Sequence, residues 1–158
     1  MKHSKRLRMP DQATFMQKAS VDFERKFVPR LEEDIDARQS WGYATTCNAV
    51  SRYAGGQAGI EACRAVAARL SQLDLALMKK IEPRALSLFA SSFGRDPLST
   101  KCRDGAMRIA RICQDQRGVL GELGSQNLSL LANGFSKWPE APDCRKATAA
   151  IADEVLRR

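Results

Sequence analysis

The sequence contains a duplication with a period near 42 residues, and this repeat restricts the accessible folds more than any other feature. Leu-Ser-Leu occurs at 86–88 and again at 128–130, and residues further along match at the same offset of 42. The matching pairs are Phe93 with Phe135, Pro97 with Pro139, Cys102 with Cys144, Arg103 with Arg145, and Ile109 with Ile151. So many matches at one offset predict two copies of one structural unit.

A weaker copy precedes these two. Residues 47–53 align with 132–138, and Cys63-Arg64 then aligns with Cys144-Arg145. The connection at 54–59 is longer than in the other copies and rich in glycine, which is typical of a loop between helices. We therefore predict three units, at about 42–82, 83–124 and 125–158.

Each unit has the pattern of two helices joined by a short loop. Apolar residues at helical spacing in the last copy are Leu128, Leu131, Phe135, Cys144, Ala147 and Ile151. Ser125 and Asp143 are the predicted N-caps, and Pro139 is predicted to end the first helix. No segment alternates apolar and polar residues long enough to predict a strand. The predicted fold class is all-α.

Two helices per unit and a period near 42 fall within the HEAT and armadillo class of repeats, in which hairpins bury their apolar stripes against one another. We expect a short right-handed α-solenoid over 42–158. Residues 11–41 are predicted to form N-terminal capping helices, with Pro29 opening or kinking a second segment. Residues 1–10 are predicted to be a disordered basic leader.

Composition limits the functions that such a fold can carry. The 158 residues include 26 Lys and Arg against 18 Asp and Glu, a net charge of +8, which makes an anionic partner worth considering. The single histidine, His3, lies in the leader and excludes catalysis or metal binding built on histidines. No run approaches the roughly 18 apolar residues of a membrane span, and no apolar segment follows the leader. We expect neither membrane insertion nor a Sec signal peptide.

The leader is a short basic cluster without acidic residues. It contains Lys2, His3, Lys5, Arg6 and Arg8. Such a cluster suits nuclear import, a nucleic-acid arm, an anionic surface or type III export, and a solvated tail is the favoured interpretation.

The five cysteines are odd in number and contain no C-x-x-C pair, so we predict no zinc site and no disulfide framework. We also expect no cofactor. Cys63, Cys102 and Cys144 occupy one repeat position, where buried, inert thiols are the favoured interpretation. The alternative is a cysteine-dependent enzyme, which needs an exposed thiolate and an acid–base partner. We predict no enzymatic activity.

Arg64, Arg103 and Arg145 follow these cysteines, so stacked repeats would align them in a column. An arginine in the first turn of a helix opposes the helix dipole, which indicates a carboxylate or phosphate partner. Solvation or a local ion pair is the favoured interpretation, since Asp104, Asp143 and Glu61 lie near enough in sequence to supply the carboxylate. Lys137 is predicted to be solvated, and it joins the arginines as a candidate partner-binding residue.

The tetrapeptide Ser136-Lys137-Trp138-Pro139 resembles the SKWP repeat, a unit of about 42 residues related to HEAT and armadillo repeats. That repeat names a family of large type III secreted effectors of plant-pathogenic bacteria. Only the last copy keeps the full signature, because the middle copy has Gly-Arg-Asp-Pro at 94–97 and the first has Ser-Arg-Tyr-Ala at 51–54. The resemblance implies a non-enzymatic scaffold that leaves the bacterial cytoplasm for a host cell. Known members are far longer, which implies a fragment or a short relative.

The signature itself is interpreted as structural. Phe93, Phe135, Trp138 and Tyr53 are predicted to be core or loop-packing residues, because an aromatic residue closes the first helix of each copy. Pro97 and Pro139 then prevent that helix from continuing.

Two binding functions remain open. The first is a protein partner on the concave surface or the exposed end of the solenoid. The second is RNA, motivated by the net charge and the arginine column. At the C-terminus, Ile151, Val155 and Leu156 form a stripe with no capping helix after it, which predicts self-association, a covering partner or a longer repeat array.

Overall fold

The computed structural model describes residues 9–53 and 56–158. Every regular element within them is helical, which confirms the all-α prediction. The α-helices are α1 (Met9–Asp22), α2 (Leu31–Asp34), α3 (Ala37–Tyr53), α4 (Gln57–Gln72), α5 (Leu75–Met78), α6 (Pro83–Phe93), α7 (Thr100–Asp115), α8 (Arg117–Glu122), α9 (Ser125–Phe135) and α10 (Pro142–Arg157). A π-helix (Phe23–Phe27) and a 3-10 helix (Val28–Arg30) join α1 to α2.

The long helices pack in two layers. In the first layer α3 packs on α6 and α6 on α9, and in the second α4 packs on α7 and α7 on α10. Three hairpins, α3–α4, α6–α7 and α9–α10, therefore lie side by side in a helical-repeat-like arrangement. Helix α1 lies against α4 at the start of the second layer, so the N-terminal segment covers part of the first hairpin.

The predicted N-terminal region differs in its boundaries. Helix α3 begins at Ala37, so the first hairpin starts before residue 42. Pro29 lies near the start of the 3-10 helix, which agrees with the prediction that this proline opens or kinks a second segment. Met9 and Pro10 of the leader belong to α1, and the predicted disorder of residues 1–8 lies outside the described residues.

The apolar stripes of the hairpins form the core. Phe93, Phe135 and Trp138 are all buried, as the sequence predicts. Helix α9 nevertheless ends at Phe135, four residues before Pro139, the residue predicted to end it. The N–H of Lys137 donates to Gly134 O at 3.3 Å and that of Trp138 to Phe135 O at 3.1 Å. These i to i−3 bonds tighten the chain after α9 and place Trp138 in a turn instead of a helix.

Both predicted N-caps of the last hairpin are wrong. Gly124 occupies the N-cap of α9, and Ser125 is its first helical residue. The N-cap of α10 is Ala141, followed by Pro142 at the first position and Asp143 in the first turn. Proline suits this position because its missing N–H would have no partner there. Asp143 instead accepts a hydrogen bond from Arg111 Nε on α7, at 2.7 Å.

Tyr43 anchors α3 to the segment before it. Its hydroxyl lies 3.0 Å from both Phe27 O and Asp34 Oδ2, and its ring centroid lies 6.0 Å from that of Phe23. Burial, together with the hydrogen bond to Asp34, raises the pKa of Tyr43 to about 12. The hydroxyl therefore holds its proton more firmly in the folded chain than in the unfolded one.

Replacing Tyr43 with phenylalanine is expected to lower the free energy of unfolding by about 1–3 kcal/mol at neutral pH, because a hydrogen bond to a charged group is lost while the ring stays. The loss shrinks above pH 10, where the unfolded tyrosine ionises and the folded one, with its pKa near 12, does not. Urea denaturation of both proteins at pH 7 and at about pH 11 measures this difference. An equal loss at the two pH values would contradict the bonded hydroxyl.

Candidate partner-binding surface

Helix α10 is the last helix of the second layer, and it leaves one face open. Its inner face, at Cys144, Ala147 and Ile151, is buried. The opposite face carries four exposed residues at helical spacing, and we call them the end stripe. The end stripe consists of Arg145, Ala149, Ala152 and Leu156.

The corresponding face of α7 is covered. At the offset of 42, the end stripe corresponds to Arg103, Met107, Ala110 and Gln114. Ala110 is buried and the other three are half-buried. Gln114 Nε2 donates to Asp143 O on α10 at 3.0 Å, which shows that α10 lies against this side of α7. The next hairpin therefore covers this face of α7. No described element covers the equivalent face of α10.

Exposure is greatest at the C-terminal part of this surface. Leu156 is 85% exposed and Val155, beside the end stripe, is 53% exposed, whereas Ile151 is buried. The predicted apolar stripe of Ile151, Val155 and Leu156 is thus divided between the two sides of α10. Burying large apolar side chains is favourable by about 1.5–3 kcal/mol each, so a partner that covers Leu156 gains binding energy there.

Two of the three arginines of the predicted column, Arg64 and Arg103, form ion pairs within the chain. Arg64 Nε donates to Asp96 Oδ2 at 2.7 Å and its Nη1 to Glu61 Oε1 at 2.9 Å. The Asp96 carboxylate raises the pKa of Arg64 above its ordinary value. Arg103 pairs with Asp104 at 3.3 Å. Arg145 is exposed and forms no ion pair with any described residue, so it alone of the three arginines is left for an external carboxylate or phosphate.

Lys137 is exposed, as predicted, but it is not isolated from the preceding hairpin. A Cβ added at Gly94 would lie 3.3 Å from Lys137 Cγ, so the lysine stem packs over that glycine. Its counterpart in the middle copy, Arg95, donates to Asn48 O at 3.2 Å and to Asn48 Oδ1 at 3.0 Å. The second residue of the signature, Lys137 in the last copy and Arg95 in the middle copy, therefore contacts the previous hairpin in both copies.

Trp138 also joins neighbouring copies. Its side chain is 2% exposed, and its Nε1 donates to Pro97 O at 3.0 Å. Pro97 and Pro139 are exposed in the loops that follow α6 and α9. The side chain of Tyr53, which aligns with Trp138, lies outside the described residues. Trp138 is thus a packing residue between loops and is not available as a stacking platform for a ligand.

The three cysteines at the common repeat position, Cys63, Cys102 and Cys144, are buried. Burial raises the pKa of both Cys102 and Cys144 to about 11, which keeps these thiols protonated at neutral pH. A cysteine-dependent enzyme needs an exposed thiolate, and neither Cys102 nor Cys144 offers one. The favoured interpretation of inert, packed thiols agrees with the structure at Cys102 and Cys144.

Cys63 differs because a second cysteine faces it. Cys47 Sγ, on α3, lies 3.2 Å from Cys63 Sγ, on α4. This pair was not predicted from the sequence, although the repeat alignment contains the signal. Cys47 aligns with Ala90 and Ala132 at the equivalent place in the first helix of the other copies. The first hairpin is therefore the copy that carries a cysteine on both of its helices at this level.

A groove at the opposite end of the layers was also not predicted. It has a volume of about 490 Å³ and lies between the end of α1, the π-helix and α3. Its lining includes Phe23, Phe27, Tyr43 and Asp22. The groove arises because α1 covers α4 more than it covers α3, which leaves part of the first layer open.

Comparison with models of protein families, with curated proteins and with solved structures finds no match. Among the described helices, none is both long and apolar enough to cross a membrane.

Proposed function

We propose that the chain is a non-enzymatic helical-repeat scaffold, of the HEAT and armadillo kind, that binds a protein partner on the end stripe of α10. One observation carries this proposal: the end stripe is exposed, whereas the equivalent face of α7 is packed against the next hairpin. Helical repeats are stabilised by burying such faces against a neighbour. A partner helix packed on this face, as the next hairpin packs on α7, would bury Leu156 and the alanines.

The internal repeats indicate the chemistry of the partner. Arg64 binds the carboxylate of Asp96, which belongs to the loop of the following hairpin. Arg145 occupies the same repeat position and pairs with no described residue. The partner is therefore expected to present a carboxylate to Arg145, because guanidinium and carboxylate form the stronger charge-assisted bonds. Ala149 and Ala152 let a helix approach closely, so an amphipathic helix with an acidic residue at one end is the expected ligand.

The resemblance to SKWP repeats supports a cellular setting for this binding. It suggests a type III effector, or a piece of one, that is secreted into a host cell and acts in virulence by binding a host protein. An RNA ligand has less support, since two of the three arginines that suggested it, Arg64 and Arg103, are engaged by carboxylates.

A charge placed in the end stripe is expected to abolish binding. Ala152→Glu should reduce capture of the partner from a host-cell lysate by at least about tenfold, the effect of 1.4 kcal/mol, because a carboxylate would be buried opposite an apolar face. Leu98→Glu is the matched control, since Leu98 is 95% exposed in the loop between α6 and α7. The measurement is quantitative mass spectrometry of captured proteins, with and without nuclease.

The proposal is supported by proteins that wild type and Leu98→Glu retain after nuclease and that Ala152→Glu loses. It is contradicted if Ala152→Glu retains the same proteins, or if nuclease removes them from every sample. The second outcome would favour the RNA ligand.

A second copy of the chain is the other candidate for covering the end stripe. Light scattering across the micromolar range distinguishes the two occupants. A dimer that Ala152→Glu converts to a monomer would place the second copy on the end stripe. A wild-type monomer would exclude a second copy as the occupant of the end stripe.

A further inference from the structure

We propose that Cys47 and Cys63 form a redox-active pair that closes to a disulfide inside the first hairpin. The pair is separate from the end stripe, and it does not depend on the proposed binding function. Its basis is geometric: the two Sγ atoms lie 3.2 Å apart between helices α3 and α4, which pack against each other.

Little movement separates the pair from a disulfide. An S–S bond is about 2.05 Å long, so the sulfur atoms must approach by roughly 1 Å, which side-chain rotation and a small shift of the helices can provide. Cys63 Sγ donates to Cys47 O at 3.3 Å, which leaves the Cys47 thiol to donate to Cys63 Sγ. The two sulfur atoms of the reduced pair are thus already in direct contact.

The repeat comparison makes the pair specific to the first hairpin. Cys102 and Cys144 are the counterparts of Cys63, but the residues aligned with Cys47 are Ala90 and Ala132. Packing as an inert core thiol explains the cysteine that all three copies share. It does not explain why a second cysteine, Cys47, faces only the one in the first copy. The remaining cysteine, Cys113, is buried on α7.

The surroundings assign different roles to the two sulfur atoms. Hydrogen bonding from Cys47 and Ser51, with the positive charge of Arg95 nearby, lowers the pKa of Cys63 below its ordinary value, against the opposing effects of burial and of the Asp96 carboxylate. The hydrogen bond with Cys63 and burial raise the pKa of Cys47. Cys63 is also the more accessible, at 3% exposed against complete burial of Cys47. Cys63 is therefore the attacking sulfur and Cys47 the resolving one.

A peroxide is the oxidant that suits this arrangement, because it is small enough to reach a nearly buried sulfur. The Cys63 thiolate, whose proton has passed to solvent, attacks one peroxide oxygen, which forms the sulfenic acid and releases hydroxide. This hydroxide takes up a proton from solvent and becomes the first water. Cys47 Sγ then attacks the Cys63 sulfur, the S–O bond breaks, and the hydroxide that leaves takes the proton of Cys47 to become water. In total, two thiols and one hydrogen peroxide give one disulfide and two waters, with the thiols oxidised by two electrons and the peroxide reduced.

The bond would link positions 16 residues apart and so hold α3 to α4. A cross-link over such a loop stabilises mainly by restricting the unfolded chain. For a chain of this size we expect the Tm to rise by roughly 6–12 °C on oxidation and to return on reduction with dithiothreitol.

The test treats the full-length, reduced protein with hydrogen peroxide and maps its cysteines by mass spectrometry. We expect the mass to fall by about 2 Da, the five thiols titrated after denaturation to become three, and one linked peptide pair containing Cys47 and Cys63. Cys113→Ser is the matched control and should form the same link. Five thiols that remain after treatment, or a link between other cysteines, would overturn the proposal.

Trapping with dimedone tests the order of attack. In Cys47→Ser the sulfenic acid on Cys63 cannot be resolved, so dimedone should label Cys63. In Cys63→Ser we expect little label on Cys47. Equal labelling of Cys47 and Cys63 in the two variants would contradict the assigned roles, and the mapping of wild type stands even if a variant folds poorly.

Discussion

Replacing Trp138 with alanine will lower the free energy of unfolding by about 3–5 kcal/mol, the range for removal of a large buried aromatic side chain. Trp138 is 2% exposed, and its Nε1 donates to Pro97 O across two hairpins. Alanine leaves a cavity at the junction of the loops and removes the donor to that carbonyl, and both losses act in the same direction.

Denaturation by urea, followed by far-ultraviolet circular dichroism, measures this loss without depending on tryptophan fluorescence, since the chain has only two tryptophans. Lys137→Ala is the neighbouring control, and we expect it to change stability by no more than about 0.5 kcal/mol because the residue is exposed. Trp138→Phe keeps most of the ring and should cost about 1–2 kcal/mol from the lost hydrogen bond and smaller volume. If Trp138→Ala is as mild as Lys137→Ala, the tryptophan of the signature is not a packing residue.

Helical periodicity was enough to predict the class, the hairpins and the burial of Phe93, Phe135 and Trp138, because a stripe of apolar side chains at that spacing has to be covered. The ends of the helices were harder. The end of α9 depends on i to i−3 hydrogen bonds after Phe135, and the start of α10 on Pro142. Such local choices between alternative backbone bonds are not visible in a pattern of apolar residues.

The candidate site illustrates a different limit. The repeat alignment placed Arg64, Arg103 and Arg145 at one position, but it did not reveal which of them pair. Asp96 aligns with Trp138, and the two residues join neighbouring copies by different chemistry. Asp96 accepts from Arg64 Nε, whereas Trp138 donates to Pro97 O. Residues at one repeat position can thus pack at the same place and still bind different partners. Only three-dimensional contacts therefore showed that Arg145 is the arginine without an ion pair among the described residues.

The same limit applies to small residues between neighbouring helices of one layer. Gly134, on α9, lies so close to α6 that an added Cβ would be 2.6 Å from Ala90 O and 2.7 Å from Ala90 C. Both atoms belong to backbone, which cannot turn away as a flexible side chain does. Any side chain at this position therefore has to push α9 away from α6, in the layer on which the last hairpin depends.

Gly134→Ala is expected to lower the free energy of unfolding by about 1–3 kcal/mol, although alanine is the better helix former by about 1 kcal/mol. Gly42→Ala, in α3, is the matched substitution with the opposite result. A Cβ at Gly42 meets no atom within 4 Å, so the helix propensity acts alone and should stabilise by about 0.5–1 kcal/mol. Urea denaturation of the two variants and of wild type shows whether each substitution raises or lowers the free energy of unfolding. Stabilisation by both substitutions would mean that α6 and α9 do not approach so closely, and the stacking of the last hairpin would need a different geometry.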